Sequence, residues 1–143
     1  MLYFDTSFLL PYYVPEATSA AVDQFFARHD PDQYAISHWT VTEFHSALSF
    51  KIRSGQLPAL HHDEILERFA TARAESFEVW LPTAADHEFA SQLLTDWKSG
   101  LRSGDALHLA IARGRGACLV SLDKILLKAA RSLKIAHKTL PAS

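Results

Sequence analysis

Four acidic residues stand where this 143-residue chain passes between predicted strands and helices. Asp5 ends a short apolar run, Asp123 follows another, and two further acids, Glu43 and Asp105, lie in the first turns of predicted helices. If the strands are parallel, their carboxyl ends share one edge of a sheet, which is where α/β proteins place their chemistry. We therefore expect the four carboxylates to meet there as a catalytic set, although they are far apart in sequence.

Four ionised carboxylates in one cleft need a counter-charge. At about 4 Å and an effective dielectric constant of about 20, each like-charged pair costs on the order of 4 kcal/mol. Protonation, basic neighbours or metal cations could relieve this repulsion, and oxygen donors without a cysteine or histidine cage suit Mg²⁺ or Mn²⁺. Asp5 and Asp105 are the predicted principal ligands. Asp123 is predicted to bind the cation directly or through water, and Glu43 either to bind it or to position the nucleophile.

The same acids have ordinary structural explanations when each is taken alone. Asp5 could cap the first helix, and the acids in helical first turns could complement helix dipoles. Their shared position at four such transitions favours a site. Hydroxyl groups at Thr6, Ser7 and Ser121 are predicted at the same edge, where they could hold the acids or a water molecule. Helix capping explains Thr6 and Ser7 equally well.

Hydrophobic periodicity predicts strands and helices in alternation along the chain. The predicted strands are residues 2–4, 34–37, 77–81, 117–122 and 135–140. The predicted helices are residues 8–13, 16–29, 40–53, 59–75, 84–98, 105–112 and 125–133. Strands separated by helices require crossover connections and hence a parallel sheet. The predicted fold is one α/β domain over residues 1–143, a three-layer α/β/α arrangement with a short parallel sheet of about five strands.

Composition limits the partners and the location of the protein. The formal net charge is −2, so attraction to a polyanion needs a local basic patch or a bound cation. The single cysteine, Cys118, permits no intrachain disulfide and is predicted to be a small core residue. No basic segment precedes an apolar one at the N-terminus, and the longest apolar stretch, residues 8–14, is too short to span a bilayer. We expect a cytoplasmic protein with no membrane-spanning segment.

Four segments that carry the acids resemble the conserved blocks of the PIN-domain ribonucleases, and within them the VapC toxins. They are Leu2-Tyr3-Phe4-Asp5-Thr6-Ser7, Thr42-Glu43, Asp105-Ala106-Leu107-His108-Leu109-Ala110 and Leu119-Val120-Ser121-Leu122-Asp123-Lys124. The resemblance implies a five-stranded parallel sheet and a metal-dependent endoribonuclease whose acidic set is Asp5, Glu43, Asp105 and Asp123. It also implies a homodimer and an antitoxin protein that inserts into the active-site groove. The chain departs from the pattern at Leu122, where a polar or basic residue is frequent, so no RNA contact is expected there.

In such an enzyme, divalent ions held by the acids activate water and neutralise the charge that develops on the phosphate and the leaving oxygen. Basic residues near the predicted edge could contact the RNA backbone. The candidates are Lys124, Arg102, Arg113 and Arg115, followed by Lys98, Lys51 and Arg53. Solvated surface charge is the simpler explanation for any one of them. Lys124, directly after Asp123, is the strongest candidate.

The histidines and tryptophans favour structural roles. His61 and His62 are adjacent and so do not share a helix face, and no HExxH motif occurs, which argues against zinc. His108 lies three residues after Asp105 and is predicted to hydrogen-bond or pack beneath the acids rather than to bind a metal. Trp39, Trp80 and Trp97 could stack on bases, but burial is the simpler expectation, and Trp97 falls in a predicted apolar stripe.

Two other function classes stay open at this point. An aspartate that ends the first strand can act as a nucleophile in phosphoryl transfer. However, the related phosphatases carry a second aspartate two residues later, where this chain has Ser7. The other class is a non-catalytic module, either a signalling receiver or a metal-bound RNA binder. Receivers need paired acids near Asp5, which the sequence lacks, and an RNA binder would retain RNA without cleaving it.

Overall fold

The computed structural model describes residues 1–141 as a five-stranded sheet with helices on both faces. The strands are β1 Leu2–Phe4, β2 Tyr34–Ser37, β3 Glu78–Trp80, β4 Cys118–Val120 and β5 His137–Lys138. The helices are α1 Thr6–Tyr13, α2 Ser19–Arg28, α3 His38–Arg53, α4 His62–Glu75, α5 Ala84–Leu94, α6 Ser103–Gly114 and α7 Lys124–Ser132. Short 3₁₀ turns lie at Pro31–Gln33, Ala59–His61 and Trp97–Ser99.

All the strand pairs are parallel, in the order β3-β2-β1-β4-β5. This confirms the predicted three-layer α/β/α fold. The central strand β1 is paired on one side with β2 and on the other with β4, so that Tyr3 lies opposite both Ala35 and Leu119. Because the strands are parallel and in register, the residues that follow β1, β2 and β4 emerge side by side at one edge of the sheet.

Alternate residues of the strands serve the two faces of the sheet. Phe4 faces a core made with α1 to α4, in which Phe8, Phe44 and Phe69 are fully buried. Tyr3 faces a second core made with α5, α6 and α7. Helix α6 is buried along nearly its whole length, from Ala106 to Ala112, and it crosses the sheet face beside the central strand. The two cores fix the sheet between helices that begin near its carboxyl edge.

Polar residues at that edge also end the strands and start the helices. Asp5 caps α1 by accepting a hydrogen bond from the Phe8 amide. Ser37 and Thr40 form a capping box at the start of α3, and Asp123 caps α7. The structural explanation for these residues is therefore correct, and it does not exclude a second role, because capping uses only part of each side chain's hydrogen-bonding capacity.

Several predicted boundaries are wrong, and two of the errors affect the site. Helix α3 begins at His38 rather than residue 40 because Ser37 caps it, so Glu43 lies in its second turn and not its first. Helix α5 ends at Leu94 rather than continuing to residue 98. Trp97 therefore lies in a 3₁₀ turn and is 81% exposed, contrary to the expectation that it belongs to an apolar stripe.

The other differences are small. The predicted second helix begins at Ser19 instead of residue 16, and the predicted helix over 59–75 is divided into a 3₁₀ turn and α4. The predicted last strand is reduced to His137–Lys138. Cys118, expected in the core, is only partly buried. Among residues 1–141, no helix combines the length and the apolar character that crossing a bilayer requires.

The aromatic packing of the α1–α4 core predicts a large loss of stability on truncation. The fully buried Phe44 ring stacks on Phe69 with centroids 4.0 Å apart and meets Tyr13 edge-on. Phe44→Ala should therefore lower the free energy of unfolding by about 3–5 kcal/mol in urea titrations. Phe50→Ala, on the same helix but with its ring 58% exposed, is the control and should change it by less than about 1 kcal/mol. Equal losses for the two variants would contradict this assignment of the core.

Candidate active site

Asp5, at the carboxyl end of β1, is the most buried of the four acids, with 5% of its surface exposed. Ser7 Oγ donates to Asp5 Oδ1 at 2.8 Å, and Ser121 Oγ donates to Asp5 Oδ2 at 2.9 Å. Burial raises the pKa of Asp5 to about 6, although His108 and these hydroxyls favour the ionised form. A carboxylate in this position is costly to ionise unless positive charge lies nearby.

Ser121 connects this carboxylate to the next strand end. Its Oγ accepts a hydrogen bond from the Asp123 amide at 3.0 Å, and Ser7 Oγ accepts one from the Leu122 amide at 3.0 Å. The ends of β1 and β4 are thus held together by hydroxyl groups. The Asp123 carboxylate caps α7 through Oδ1 alone, so Oδ2 has no hydrogen-bond donor within the described residues.

Glu43 reaches the same edge from α3. Thr6 Oγ1 donates to Glu43 Oε1 at 2.9 Å, and His108 Nε2 bonds to the same oxygen. On its other side, His108 Nδ1 lies 2.8 Å from Tyr3 Oη, which lies 2.8 Å from Ser37 Oγ. The prediction that His108 hydrogen-bonds beneath the acids is therefore correct. The sequence reading missed Tyr3 and Ser37, which were interpreted only as strand residues.

Asp105 enters the site from the first turn of α6. Its Oδ2 accepts the Arg102 amide at 3.3 Å, and Oδ1 has no hydrogen-bond donor within residues 1–141. Partial burial raises the pKa of Asp105, opposed by the Arg102 amide, and the negative charges of Asp123 and Glu43 raise it further. Because these two acids act on Asp105 through their charge, Asp105, Asp123 and Glu43 form one electrostatic group at the edge of the sheet.

Gly104 permits the close approach of α6 to α3. A β-carbon at this position would lie 2.8 Å from Glu43 Oε2 and 3.1 Å from Trp39 Cζ2. Any side chain would therefore displace the carboxylate or the indole ring. Nothing in the local pattern of residues around Gly104 reveals that a distant helix packs against it.

The carboxylate oxygens of the site are suitable ligands for a divalent cation. Three of the carboxylates each have one oxygen that accepts no hydrogen bond from the described residues. These oxygens are Asp105 Oδ1, Asp123 Oδ2 and Glu43 Oε2. Burial is the main reason why the pKa values of Asp5 and Asp105 are raised, and a bound cation would favour the ionised form of both. As the side chains of residues 1–141 are oriented, no three His, Cys, Asp or Glu residues form a group that could hold a metal ion. The carboxylate oxygens thus suit a divalent cation, although the side chains of residues 1–141 do not form a ready-made metal site.

The basic residues proposed for RNA separate into two groups. Arg102 and Lys124 are exposed and directly flank the acidic helix starts, at the beginning of α6 and α7. Arg113 and Arg115 lie at the opposite end of α6, eight and ten residues beyond Asp105, which corresponds to about 12–15 Å along a helix. The structure does not bring these last two to the acids.

The far arginines have structural partners instead. The Arg113 guanidinium lies 4.1 Å from the Phe89 ring centroid. Arg115 donates to the Leu81 carbonyl at 2.8 Å, bonds Asp86 at 3.4 Å and lies over the Trp80 ring. These contacts attach the end of α6 to the start of α5.

A groove between α1 and α3 opens beside the acids. It is lined by Thr6 and Ser7 on one side and by Trp39, Glu43 and Phe50 among others on the other. Trp39 was expected to be buried, but it lines this groove while its indole Nε1 is enclosed without an acceptor among the described residues. The Glu43 side of the site is therefore bordered by a groove along α3.

The fold and this acidic edge together define a family. The PIN-domain family model matches residues 2–132, and the chain belongs to the PIN-domain family. This confirms the family suggested by the sequence blocks. No curated protein matches the chain in the sequence comparison.

Solved structures with the same fold include toxins and toxin–antitoxin complexes. VapC20 of Mycobacterium tuberculosis, described as a toxin that cleaves the sarcin–ricin loop, shares 20% identity with a TM-score of 0.74, over 90% of this chain and 95% of that one. FitAcB of Neisseria gonorrhoeae shares 15% identity with a TM-score of 0.75, over 96% of each chain. A toxin–antitoxin complex from Klebsiella pneumoniae shares 21% identity with a TM-score of 0.62, over 86% of this chain and 87% of that one. At these identities the likeness establishes the fold.

The raised pKa of Asp5 predicts a pH-dependent loss of stability. Because the folded-state pKa of about 6 exceeds the ordinary value of 3.8, the folded chain binds more protons than the unfolded chain between these values. Asp5 therefore favours folding most below about pH 4, and this contribution is lost as the pH rises through 6. Asp5→Asn should remove that slope and stabilise the protein by up to about 3 kcal/mol at pH 7.5.

The measurement is urea unfolding from pH 4 to 8 in the presence of EDTA. Asp86→Asn is the control, because Asp86 is a buried carboxylate away from the site and paired with Arg115. It should not stabilise the protein at pH 7.5. An Asp5→Asn protein that is less stable than the wild type at every pH would contradict the assignment of an uncompensated charge to Asp5.

Proposed function

We propose that this chain is a divalent-cation-dependent endoribonuclease and the toxin of a toxin–antitoxin pair. One observation carries the proposal: Asp5, Glu43, Asp105 and Asp123 lie along one sheet edge, where burial raises the pKa of Asp5, and burial together with the charges of Asp123 and Glu43 raises the pKa of Asp105. A site that concentrates uncompensated negative charge attracts Mg²⁺ or Mn²⁺ and, with the cation in place, accepts a phosphodiester. Membership of the PIN-domain family supports the same activity.

The residues of the site have distinct roles in this proposal. Asp5, Asp105 and Asp123 would hold the cation, which supplies Lewis-acid activation of water and neutralises charge on the phosphate. Thr6, Ser7 and Ser121 keep the carboxylates in place through their hydroxyl groups. Glu43, with Oε1 bonded to protein donors and Oε2 beside Gly104, is positioned to orient the attacking water or accept its proton.

The substrate contacts are proposed for the basic residues at the acidic edge. Lys124 and Arg102 are exposed beside the helix starts that carry Asp123 and Asp105. Arg113 and Arg115, proposed from the sequence as weaker RNA contacts, have less support, because they are engaged with α5. Thus RNA would meet cationic side chains only at the edge of an otherwise weakly acidic protein, whose net charge is −2.

The partners follow from the relatives. Several proteins of the same fold are toxin–antitoxin complexes, which supports an antitoxin partner for this chain, with the groove between α1 and α3 beside the acids as the place where such a segment would block the site. A homodimer and a cytoplasmic location remain proposals of the same kind. The exposed Trp97, Ile125 and Leu133 side chains supply apolar surface for an interface.

The two competing functions have less support. Asp5 as a phosphoryl-accepting nucleophile is disfavoured, because the chain has Ser7 where the related phosphatases carry a second aspartate. A non-catalytic RNA-binding module would not require carboxylates to be crowded where ionisation is costly. Trapping of a phosphorylated Asp5 would favour the first, and tight RNA binding without cleavage the second.

Cleavage of RNA is the direct test. Purified protein incubated with total cellular RNA and Mn²⁺ should generate defined fragments, and EDTA should abolish them. Asp105→Asn should lower the cleavage rate by about 100-fold or more, whereas Asp86→Asn, a buried carboxylate outside the site, should cleave at nearly the wild-type rate. Intact RNA in the wild-type reaction across ribosomal and transfer RNAs, at any tested Mn²⁺ concentration, would oppose the nuclease proposal.

Cation binding has a readout that does not depend on cleavage. At 100 times its Kd, Mn²⁺ should increase the free energy of unfolding of the wild type by about 2.7 kcal/mol, because it binds the folded chain. The increase should be largely lost in Asp105→Asn and retained in Asp86→Asn, as measured by urea titration with and without the metal. The same increase in both variants would place the cation elsewhere.

Gly104→Ala tests the position of Glu43. The added methyl group would lie 2.8 Å from Glu43 Oε2, so the carboxylate must move, which should lower cleavage by about 100-fold. Stability should fall by about 1–2 kcal/mol at most, because the Trp39 ring must also shift, while alanine is the better helix former. Gly114→Ala is the control: its β-carbon would lie 3.0 Å from another carboxylate, that of Asp86. Equal cleavage by both variants would argue against a precise role for Glu43.

A further inference from the structure

We infer that Tyr3 and His108 are positioning residues, whose buried hydrogen bonds hold the Glu43 carboxylate in its working orientation. The inference rests on the proposed nuclease function, in which Glu43 acts at the acidic edge, and it assigns a role to residues that touch neither substrate nor cation. Tyr3 is fully buried and His108 is 2% exposed, so both act through another residue.

The geometry of Glu43 supports this role. Oε1 is held by two donors from opposite sides, Thr6 Oγ1 from α1 and His108 Nε2 from α6. Two donors on one oxygen fix the plane of the carboxylate and leave Oε2 without a donor in the described chain. Oε2 then points to the space beside Gly104, where a β-carbon would be only 2.8 Å away. The position of Oε2 is therefore set by the two donors to Oε1 and by the close approach of Gly104.

The hydrogens in this network have a definite order. A carboxylate only accepts, so the bonded hydrogen lies on His108 Nε2. In the neutral ring, Nδ1 is then an acceptor, and Tyr3 Oη at 2.8 Å is its donor. Tyr3 Oη in turn lies 2.8 Å from Ser37 Oγ, which accepts the Thr40 amide and can donate its own hydrogen to Tyr3. When the ring is neutral, the hydroxyl of Tyr3 thus selects the tautomer of His108 that can donate to Glu43. When the ring is protonated, Nε2 still donates to Glu43, and Nδ1 donates to Tyr3 Oη.

Packing alone does not account for the Tyr3 hydroxyl. Its ring already stacks on Trp80, with centroids 5.6 Å apart and planes 7° from parallel. A phenylalanine would keep this contact and would avoid burying a polar group. The buried hydroxyl is explained by its partner, His108.

The chain offers a matched control on the neighbouring strand. Tyr34 on β2 is likewise buried, and its hydroxyl donates to the Phe26 and His29 carbonyls, each at 3.0 Å. These carbonyls lie at the end of α2, and neither belongs to one of the acids. Tyr3→Phe and Tyr34→Phe therefore remove the same atom from two buried tyrosines, and only the first hydroxyl is linked to Glu43 through His108.

Kinetics provide the first test, with an RNA that the wild type cleaves. Tyr3→Phe should lower kcat by about tenfold and His108→Leu by about 100-fold, with KM within about twofold, because RNA contacts are unchanged. His108→Gln should recover part of the loss, since its side-chain amide can donate to Glu43 in place of Nε2. Tyr34→Phe should keep the wild-type kcat. Equal kcat values for Tyr3→Phe and Tyr34→Phe, or a Leu variant as active as the Gln variant, would overturn the inference.

A second readout is independent of cleavage. In ¹⁵N- and ¹³C-labelled wild-type protein, His108 should show a solvent-protected Nε2–H resonance, and Glu43 a single sharp carboxyl resonance. Tyr3→Phe should shift His108 Nδ1, and His108→Leu should shift and broaden the Glu43 carboxyl signal, while Tyr34→Phe should change neither. A wild type that shows this pattern but cleaves no RNA would refute the nuclease and leave the positioning of Glu43 supported. An unchanged Glu43 signal in His108→Leu would refute the positioning itself.

Discussion

The burial of the Asp5 carboxylate is the constraint on which the arrangement of the site depends. Its position at the end of the central strand removes it from water, and burial favours the protonated form. Every neighbouring element supplies something that opposes this: hydroxyls from α1 and from the end of β4, and the imidazole of His108 from α6. The compensation is incomplete, since the pKa still rises to about 6. Burial therefore outweighs the hydroxyls and the imidazole, and Asp5 is harder to ionise than a free aspartate.

The parallel sheet explains how acidic residues that are far apart in sequence come to lie in one electrostatic environment. The strand register places the ends of β1, β2 and β4 side by side, and each strand passes directly into a polar residue that starts or precedes a helix. Helix starts also bring backbone amide donors and the positive end of the helix dipole to the same edge. The elements that create the acidic crowding therefore also moderate it, because Asp5, Asp105 and Asp123 each accept a backbone amide hydrogen. The strand ends and helix starts that build the fold at this edge therefore also build the site.

The order of elements and the acidic set could be inferred from the sequence because both depend on local patterns. Apolar runs of strand length and helical stripes alternate regularly, and the acids follow them. Contacts between distant segments have no such signature. Gly104 has the sequence context of a loop glycine, and only the approach of Glu43 and Trp39 from α3 shows why a side chain is excluded. Trp97 fits a helical stripe by spacing, but Asp96 and Gly100 enclose a 3₁₀ turn that ends the periodicity and exposes the ring.

Only part of the polar network behind the acids could be predicted from the sequence, because most of its contacts join distant segments. His108 could be placed on the face of Asp105 from helical spacing, whereas Tyr3 is one of several aromatic residues near the N-terminus, and nothing in its neighbours marks its hydroxyl as functional. Strand alternation sends Phe4 into the α1–α4 core and Tyr3 toward α6. The two adjacent aromatic residues thus have different tasks, since one ring only packs and the other also carries a hydrogen bond to His108. Because the sheet separates the two cores, the acidic edge can be held by polar contacts on one face while aromatic packing on the other stabilises the fold.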